Sequence, residues 1–363
     1  MPEGAVDFER PGRTAGAVGK FWCTIEDGRL RCELCPRVCE LSEGQRGFCA
    51  VRINRGGRME STTYGSCCGL CIDPVEKKPL YHFLPGTPVL SLGTEGCNLT
   101  CRFCQNSHLS RSRGGTPVRE AAPAEVALAA REGACRSVAF TYNDPVVFAE
   151  YAVDTAKACH DQGVRTIAVT NGYIAPGARE WFFSHMDAAN IDLKSFRDGF
   201  YQKLCGARLQ PVLDTLLHVH REAGTWLEIT TLLIPGENDS ETELDELGDW
   251  IARELGPEVP LHLSAFHPAY LHTSAPRTPL GTLRRAREIV LARGLRHVYI
   301  GNAEDEEGST TRCGSCSASL IGRSGYEIGH WALEKGECRS CGQRLAGVFE
   351  DQPGNWGNRR RPL

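Results

Sequence analysis

Three cysteines lie close together in the segment GCNLTCRFCQN, which spans residues 96–106. Cys97, Cys101 and Cys104 are separated by three residues and then by two. Three thiolates in this arrangement can hold three irons of a [4Fe–4S] cluster and leave the fourth iron open to an exogenous ligand. The alternative is a zinc site that takes its fourth ligand from a distant Cys or His. The spacing leaves both metal sites open, and Phe103 just before Cys104 suits the cluster.

The other clustered cysteines form two further candidate metal sites. A chain of 363 residues with 18 cysteines, several in C-x-x-C pairs, is more typical of a cytosolic metal-binding enzyme than of a secreted disulfide scaffold. One group approximates a four-thiolate zinc ribbon, so we expect structural zinc there, with a second cluster as the alternative. Its members are Cys313, Cys316, Cys338 and Cys341.

The N-terminal group, CELCPRVCELSEGQRGFC, leaves three interpretations open. It could hold a second [4Fe–4S] cluster, bind zinc or take part in substrate recognition, and its Cys-Pro dipeptide slightly disfavours zinc. The ligands would be Cys32, Cys35, Cys39 and Cys49.

The remaining cysteines give no metal-binding pattern. Four are isolated in the sequence, and we expect them to be small buried hydrophobic residues; they are Cys23, Cys135, Cys159 and Cys205. No role is assigned to Cys67, Cys68 and Cys71.

Composition narrows the class of protein. The formal net charge is -4 and the apolar fraction is 41%, which argues against a general nucleic-acid binder, since such proteins are usually basic. No run approaches the roughly 18 apolar residues of a membrane span, and the first residues do not resemble a signal peptide. We therefore expect a cytoplasmic protein.

Apolar strand patterns alternate with amphipathic helical patterns after residue 85, as in repeated βα units. We predict an α/β fold built on a partial (β/α)6 TIM-like barrel, although a doubly wound sheet would have the same local pattern. The predicted strands are 89–93, 137–142, 165–171, 190–194, 226–234 and 261–266, and a last helix at 281–294 leads into 297–302. The clearest helix is 240–256, with Ser240 as N-cap, Glu243 completing a capping box and Gly256 at its end.

The sequence divides into five predicted segments. A disordered N-terminus at 1–20 precedes a Cys-rich module at 21–84, and the partial barrel spans 85–305. A small zinc-ribbon-like module at 306–350 and a tail at 351–363 follow.

Unusual polar residues follow the predicted strands at their C-terminal ends. In parallel α/β sheets these ends meet at one edge and carry the functional loops, so we expect a cleft there. Each residue alone is more typical of a turn or a helix cap. The candidate binding residues are Tyr142, Asn143, Asp144, Asn171, Asp192, Lys194, Gly236 and, weakly, His267.

Taken together, these motifs resemble a known family. The C-x-x-x-C-x-aromatic-C triplet after a first barrel strand is similar to the signature of the radical S-adenosylmethionine (SAM) superfamily. The segments TYNDP, TNG, DLK, PGEND and SAFHPAY and the closing CGSC…CRSCGQRLAGVF extend the resemblance. The chain resembles AmmeMemoRadiSam-system radical SAM enzymes, which are related to pyruvate formate-lyase-activating enzymes.

The resemblance implies an activity. The three cysteines of the triplet would ligate a [4Fe–4S] cluster whose fourth iron is chelated by SAM. Reduction would cleave SAM to methionine and a 5′-deoxyadenosyl radical that abstracts hydrogen from a substrate. The SAM contacts would come from the candidate binding residues, although TYND stands where much of the superfamily has Gly-Gly-Glu. No catalytic residue is assigned.

Two kinds of substrate are compatible with the resemblance. The enzyme would either place a glycyl radical on a partner protein or modify a small molecule or peptide. A one-electron reductant such as flavodoxin or ferredoxin would be needed, and Memo-type and AMMECR-type proteins or a glycyl-radical enzyme would be partners. The alternative from a different class is a non-catalytic module in which all cysteine groups are zinc knuckles.

Overall fold

The fold was analysed in a computed structural model that describes residues 17–112 and 116–363. Most of the segment predicted to be disordered, 1–20, lies outside these residues. Its end is ordered, since Ala17–Val18 pairs with Arg58–Ser61 as a short antiparallel strand.

Seven parallel strands form the main sheet, and they are neighbours in chain order. A doubly wound sheet reverses its strand order at a switch point, whereas this sheet does not, so it has the arrangement of an open, partial barrel. Six strands correspond to those predicted, and the seventh is formed by the segment after the last helix. They are β1 (Pro88–Gly93), β2 (Ser137–Phe140), β3 (Arg165–Thr170), β4 (Ala188–Asp192), β5 (Trp226–Leu233), β6 (Leu261–Ala265) and β7 (Val298–Gly301).

Six helices connect the parallel strands and pack apolar faces against the sheet. They are α1 (Pro123–Glu132), α2 (Ala149–Asp161), α3 (Pro176–Phe183), α4 (Gln210–Arg221), α5 (Glu241–Glu254) and α6 (Leu280–Ala292). A 3-10 turn, Pro145–Phe148, precedes α2, and a π-helical turn, Tyr201–Cys205, follows β4.

The ends of α5 confirm one half of the predicted capping. Ser240 accepts a hydrogen bond from the Glu243 backbone N–H at 3.4 Å, and Gly256 lies just past the helix with a φ of +86°. The other half of the predicted capping box, a bond from the Ser240 N–H to the Glu243 carboxylate, is wrong. The Glu243 carboxylate instead accepts hydrogen bonds from the Ser195 hydroxyl at 2.5 Å and the Phe196 N–H at 2.8 Å, so it fixes the loop after β4.

The N-terminal segment contains two small three-stranded sheets and one long strand. The small sheets are formed by Ala17–Val18, Arg52–Arg55 and Arg58–Ser61, and by Trp22–Thr24, Leu30–Cys32 and Glu40–Leu41. The long strand, Ser66–Pro74, carries Cys67, Cys68 and Cys71 and pairs antiparallel with β1. The main sheet therefore extends into the segment that precedes the barrel. Its outer edge is Arg361–Pro362, and Arg119–Glu120 also pairs with the long strand.

The C-terminal module packs against residues 75–87, which lie beside the N-terminal ends of the barrel strands. The module consists of Thr311–Arg312, Ser319–Ser324 and Glu327–Trp331, followed by the hairpin Leu333–Glu334 and Glu337–Cys338. Its buried Arg323 donates to the Tyr81 carbonyl at 2.8 Å. His82 bonds both to the Ala346 carbonyl and, at 2.6 Å, to the Tyr299 hydroxyl of β7. These contacts join the module to the barrel.

Candidate active site

The cysteine triplet lies on the loop that leaves the C-terminal end of β1, as predicted. Asn143, just after β2, holds the start of this loop. Its Oδ1 accepts from the Thr94 N–H at 2.9 Å, and its Nδ2 donates to the Gly96 carbonyl at 2.9 Å and the Glu95 carbonyl at 3.2 Å. Because the side chain is buried, these bonds fix the direction in which the loop reaches Cys97.

The triplet loop is held from one side by the π-helical turn after β4. The N–H of Thr100 donates to the Cys205 carbonyl, and that of Arg102 to the Leu204 carbonyl, both at 2.9 Å. These bonds flank Cys101 on either side. The turn therefore fixes the backbone that carries the second cysteine of the triplet.

The N-terminal segment holds the same loop from another side. Arg37 donates from Nε to the Asn98 carbonyl at 2.9 Å and from its other end to the Gly206 carbonyl. Gly96 packs against the Cys49 carbonyl so closely that a Cβ at this position would collide with it. The cysteine triplet is thus enclosed by three separate parts of the chain.

The three thiols of the triplet have surroundings suited to metal binding. The Leu99 N–H points to the Cys97 sulfur at 3.5 Å, and N–H donors of this kind stabilise thiolates in iron–sulfur proteins. Burial raises the pKa of the Cys97 thiol. A hydrogen bond with Cys205, and then burial, raises that of Cys101. Without a metal the thiols of Cys97 and Cys101 are protonated, so metal binding must displace these protons.

The distances between the sulfur atoms distinguish the triplet from a site that binds a single metal ion. Thiolates bound about 2.3 Å from one tetrahedral ion lie about 3.8 Å apart. In the described part of the chain, only the C-terminal four cysteines gather three or more candidate ligand atoms within 4.8 Å of one another. A polynuclear cluster holds its thiolates farther apart than a single ion does, so the triplet fits an iron–sulfur cluster better than zinc.

Asp144 and Asn171 lie beside Cys97, as their predicted positions at the strand ends suggested. The Asp144 carboxylate accepts from the Asn171 N–H at 2.8 Å and from the Thr170 hydroxyl at 3.1 Å. Burial raises the pKa of Asp144 to about 6. The Asn171 amide nitrogen donates to the Asn98 Oδ1 at 2.9 Å and lies 3.9 Å from the Cys97 sulfur. Both polar groups therefore border the candidate cluster site.

Asp192 and Lys194 form an ion pair on the Cys101 side of the site, at 2.8 Å. Burial opposes the charge of Lys194, but Asp192 and the neighbouring Cys101 and Cys205 raise the pKa of its ammonium. The Tyr201 hydroxyl accepts from the Lys194 N–H at 3.0 Å. A cation is thus held at the edge of the triplet, where an anionic group could be bound.

The other three predicted binding residues are more dispersed. Tyr142 has a φ of +70°, and its hydroxyl donates to Asp73 at 3.3 Å, beside the buried Asp73–Lys78 ion pair. Gly236 has a φ of +78° after β5, and its N–H donates to Asp239. His267 lies half-buried in the loop after β6. SAM contacts by all eight candidate residues stay predictions.

The C-terminal cysteines form a compact four-thiol group. The sulfurs of Cys313 and Cys341 are 3.6 Å apart, and those of Cys316 and Cys338 are 3.7 Å apart. These distances match tetrahedral thiolates around one ion. The group therefore has the geometry of a metal-binding module, as the C-x-x-C pairs indicated.

Residues at the site that the sequence did not reveal are Arg37 and Cys205. Cys205 is fully buried, as expected of an isolated cysteine, but its thiol also contacts that of Cys101. This contact depends on the π-helical turn, which cannot be recognised from the hydrophobic periodicity of the sequence. Arg37 lies 61 positions before Asn98, so no local sequence pattern links the two, and its contacts with the triplet loop arise only from tertiary packing.

Comparison with known proteins identifies the class. Residues 91–247 match the radical SAM superfamily. The uncharacterised protein MJ0808 of Methanocaldococcus jannaschii is 40% identical over 328 residues, which are 90% of this chain and 97% of the relative. Pyruvate formate-lyase 1-activating enzyme of Escherichia coli K12 is 24% identical over 183 residues, covering 48% of this chain and 72% of the relative.

A solved structure gives a further likeness. A domain of the pyruvate-formate lyase-activating enzyme from Bacteroides vulgatus is 22% identical, with a TM-score of 0.41, and the alignment covers 46% of this chain and 99% of that domain.

The chain belongs to the radical SAM superfamily and is an enzyme. A non-catalytic zinc-knuckle module is not favoured. In the described residues, no helix is long and apolar enough to cross a membrane.

Proposed function

We propose that this enzyme binds a [4Fe–4S] cluster through Cys97, Cys101 and Cys104 and binds SAM at the iron that these cysteines leave free. With both groups bound, the chemistry supplied is reductive cleavage of SAM to methionine and a 5′-deoxyadenosyl radical that takes hydrogen from a substrate. The observation that carries the proposal is the triplet loop itself, which is fixed by Asn143, by the π-helical turn and by Arg37.

The chain's own residues would bind and orient SAM. The Lys194 ammonium is placed to meet the carboxylate of the methionine moiety, while Asp144 is an acceptor for its amino group. Asn171 and Asp192 are suited to the ribose or carboxylate, and residues 234–236 after β5 would flank the adenine. Tyr142, Asn143 and His267 complete the proposed SAM-binding set.

We place the substrate in a large cavity on the open side of the sheet. Its volume is about 1330 Å³, which exceeds the roughly 300–1,000 Å³ of usual small-molecule pockets. The lining reaches Ser264 and Asn302 at the C-terminal strand ends and also includes Glu76, Tyr81 and Arg323, beside the C-terminal module. The size suits a segment of polypeptide, so we favour a protein or peptide substrate. The matched relative's name, an activating enzyme for pyruvate formate-lyase, agrees with a protein partner.

We assign the chain to the AmmeMemoRadiSam type on the motifs TYNDP, DLK and PGEND. Memo-type and AMMECR-type proteins, or a glycyl-radical enzyme, are the proposed protein partners, and flavodoxin or ferredoxin is the proposed reductant.

We propose structural zinc for the C-terminal four-thiol group, as in a zinc ribbon. A cytoplasmic location goes with these proposals, because all 18 cysteines are free thiols and a reducing compartment would keep them so.

Formation of 5′-deoxyadenosine tests the proposal. The full chain, reconstituted anaerobically with iron and sulfide, should convert SAM to 5′-deoxyadenosine and methionine when dithionite is added. Omitting either dithionite or SAM should give no product. A protein that carries a full cluster and binds SAM but forms no 5′-deoxyadenosine would refute the proposed activity.

A further inference from the structure

The four N-terminal cysteines face one shared cavity. Cys32, Cys35, Cys39 and Cys49 all line a small cavity between the N-terminal segment and the barrel. The rest of its wall combines the apolar side chains of Leu34, Phe48, Val146 and Val147 with Gly47 and the polar residues Arg37, Arg52 and Asn98. Four thiols converging on a water-poor space are an arrangement that a metal centre explains and that simple core packing does not, since a core cysteine packs without needing others nearby.

The sulfur spacing of this group differs from that of the C-terminal group. The C-terminal thiols already lie 3.6 to 3.7 Å apart in pairs, as for one ion. No three of the N-terminal sulfurs lie within 4.8 Å of one another, although all of residues 32–49 are described. Within one chain, the two groups thus have different sizes, and the wider one suits a polynuclear centre.

Hydrogen-bond donors around the cavity suit sulfur ligands. The Phe48 N–H points to the Cys39 sulfur at 3.5 Å. Arg52 also lines the cavity and is almost completely buried. Its Nη2 donates to the Glu150 carboxylate and its Nη1 to the Lys20 carbonyl, but its Nε has no partner in the described structure. A buried N–H without an acceptor is costly, and a cluster sulfide or thiolate would supply one.

We propose that Cys32, Cys35, Cys39 and Cys49 bind a second iron–sulfur cluster, of the four-cysteine [4Fe–4S] class. Four protein thiolates leave no iron open to a substrate, so this centre carries electrons instead of binding SAM. The cavity wall includes Asn98, the neighbour of Cys97, and the Cys49 backbone packs against Gly96. The second centre therefore lies beside the triplet loop.

The test separates the two sites by removing the triplet. The variant Cys97→Ala/Cys101→Ala/Cys104→Ala, as the full chain, is reconstituted anaerobically with iron and sulfide. We expect about four irons and four sulfides per chain, against about eight of each in the unaltered protein. After reduction it should give the electron paramagnetic resonance signal of a [4Fe–4S] cluster. This readout does not depend on SAM cleavage, so it is distinct from the test of the proposed function.

A second variant and a matched control locate the ligands. Adding Cys35→Ala/Cys39→Ala to the triple variant should remove the remaining iron and sulfide, whereas adding Cys23→Ala should not. Cys23 belongs to the same segment but does not line the cavity. The proposal is overturned if the triple variant holds no iron and sulfide, or if it holds about two zinc ions per chain without sulfide. The triple variant decides this even where the larger variant does not fold.

Discussion

Several polar side chains around the triplet form hydrogen bonds with the backbone of the neighbouring loops. Asn143 uses its whole amide on residues 94–96, and Asp144 receives the N–H groups of Val146 and Asn171. Burying such groups is tolerated because each is paired. The consequence is a triplet loop whose shape is set before any cofactor binds, which reduces the entropy that cofactor binding must overcome.

Cys205 is a control residue for the ligand role of Cys101. It lies against Cys101 and is equally a thiol, but it belongs to no ligand pattern. Cys101→Ala should lower the iron content by about half and abolish 5′-deoxyadenosine formation, because three ligands are the minimum for the open-iron cluster. Cys205→Ala should retain both. Iron analysis and the SAM-cleavage assay check this, and loss of iron in Cys205→Ala alone would mean that the ligands were misassigned.

The sequence allowed the types of the site residues to be predicted but not all of their partners. Cys97, Asp144, Asn171 and Lys194 could be placed at one edge, because parallel strands end together there. The contacts of Asn143 with the triplet loop could not be predicted. They depend on where the backbone of residues 94–96 lies, and an amide in a loop is compatible with many partners.

At the scale of elements, the parallel strands were predictable and the irregular ones were not. Buried parallel strands are continuous apolar runs, so β1 to β6 were predicted to within two residues at their ends. The π-helical turn Tyr201–Cys205 and the long strand Ser66–Pro74 were missed. The first is too short to show periodicity, and the second mixes cysteine, glycine and an ion-paired aspartate.

Arg37 tests how the N-terminal segment supports the triplet loop. Arg37→Met keeps the apolar stem but loses the bonds to the Asn98 and Gly206 carbonyls. Each charged hydrogen bond is worth about 1.5–3 kcal/mol, so we expect the reconstituted variant to lose iron to a chelator several-fold faster. Arg31→Met is the matched control, since Arg31 forms an exposed ion pair with Glu40. Equal rates of iron loss in both variants would contradict this role of Arg37.

At the scale of the whole molecule, the C-terminal module and residues 75–87 are joined by a buried polar network. Arg323 lies 3.9 Å from Glu76, which accepts from the Gly86 N–H at 2.7 Å. The other oxygen of Glu76 has no partner in the described structure. Burial raises the pKa of Glu76 to about 7. The folded state thus binds a proton that the unfolded chain releases above its ordinary pKa of 4.5.

The free energy of unfolding should therefore fall as the pH rises from about 4.5 to 7, because the folded state holds more protons over this window. Glu76→Gln removes this contribution, so its stability relative to the unaltered protein should increase across the window by up to about 3 kcal/mol. Denaturant unfolding at pH 5 and pH 7.5 measures the difference. Glu334→Gln, at an exposed glutamate of the C-terminal module, is the control. A Glu76→Gln difference independent of pH would contradict the account.

The C-terminal four-thiol group should bind about one zinc ion per chain. Cys313→Ala/Cys338→Ala removes its two buried ligands, so we expect loss of that zinc and faster proteolysis within residues 311–350, with the barrel clusters retained. Metal analysis and mass spectrometry of the fragments check this. Zinc binding unchanged in this variant would show that the zinc lies elsewhere.

Our main proposal is that SAM, and no side chain, completes the cluster at the triplet. Electron nuclear double resonance of the reduced Cys35→Ala/Cys39→Ala variant, with SAM labelled with ¹⁵N in its amino group and ¹⁷O in its carboxylate, tests it most directly. We predict hyperfine coupling of both labelled atoms to the cluster held by Cys97, Cys101 and Cys104. A fully formed cluster that shows neither coupling in the presence of saturating SAM would contradict it.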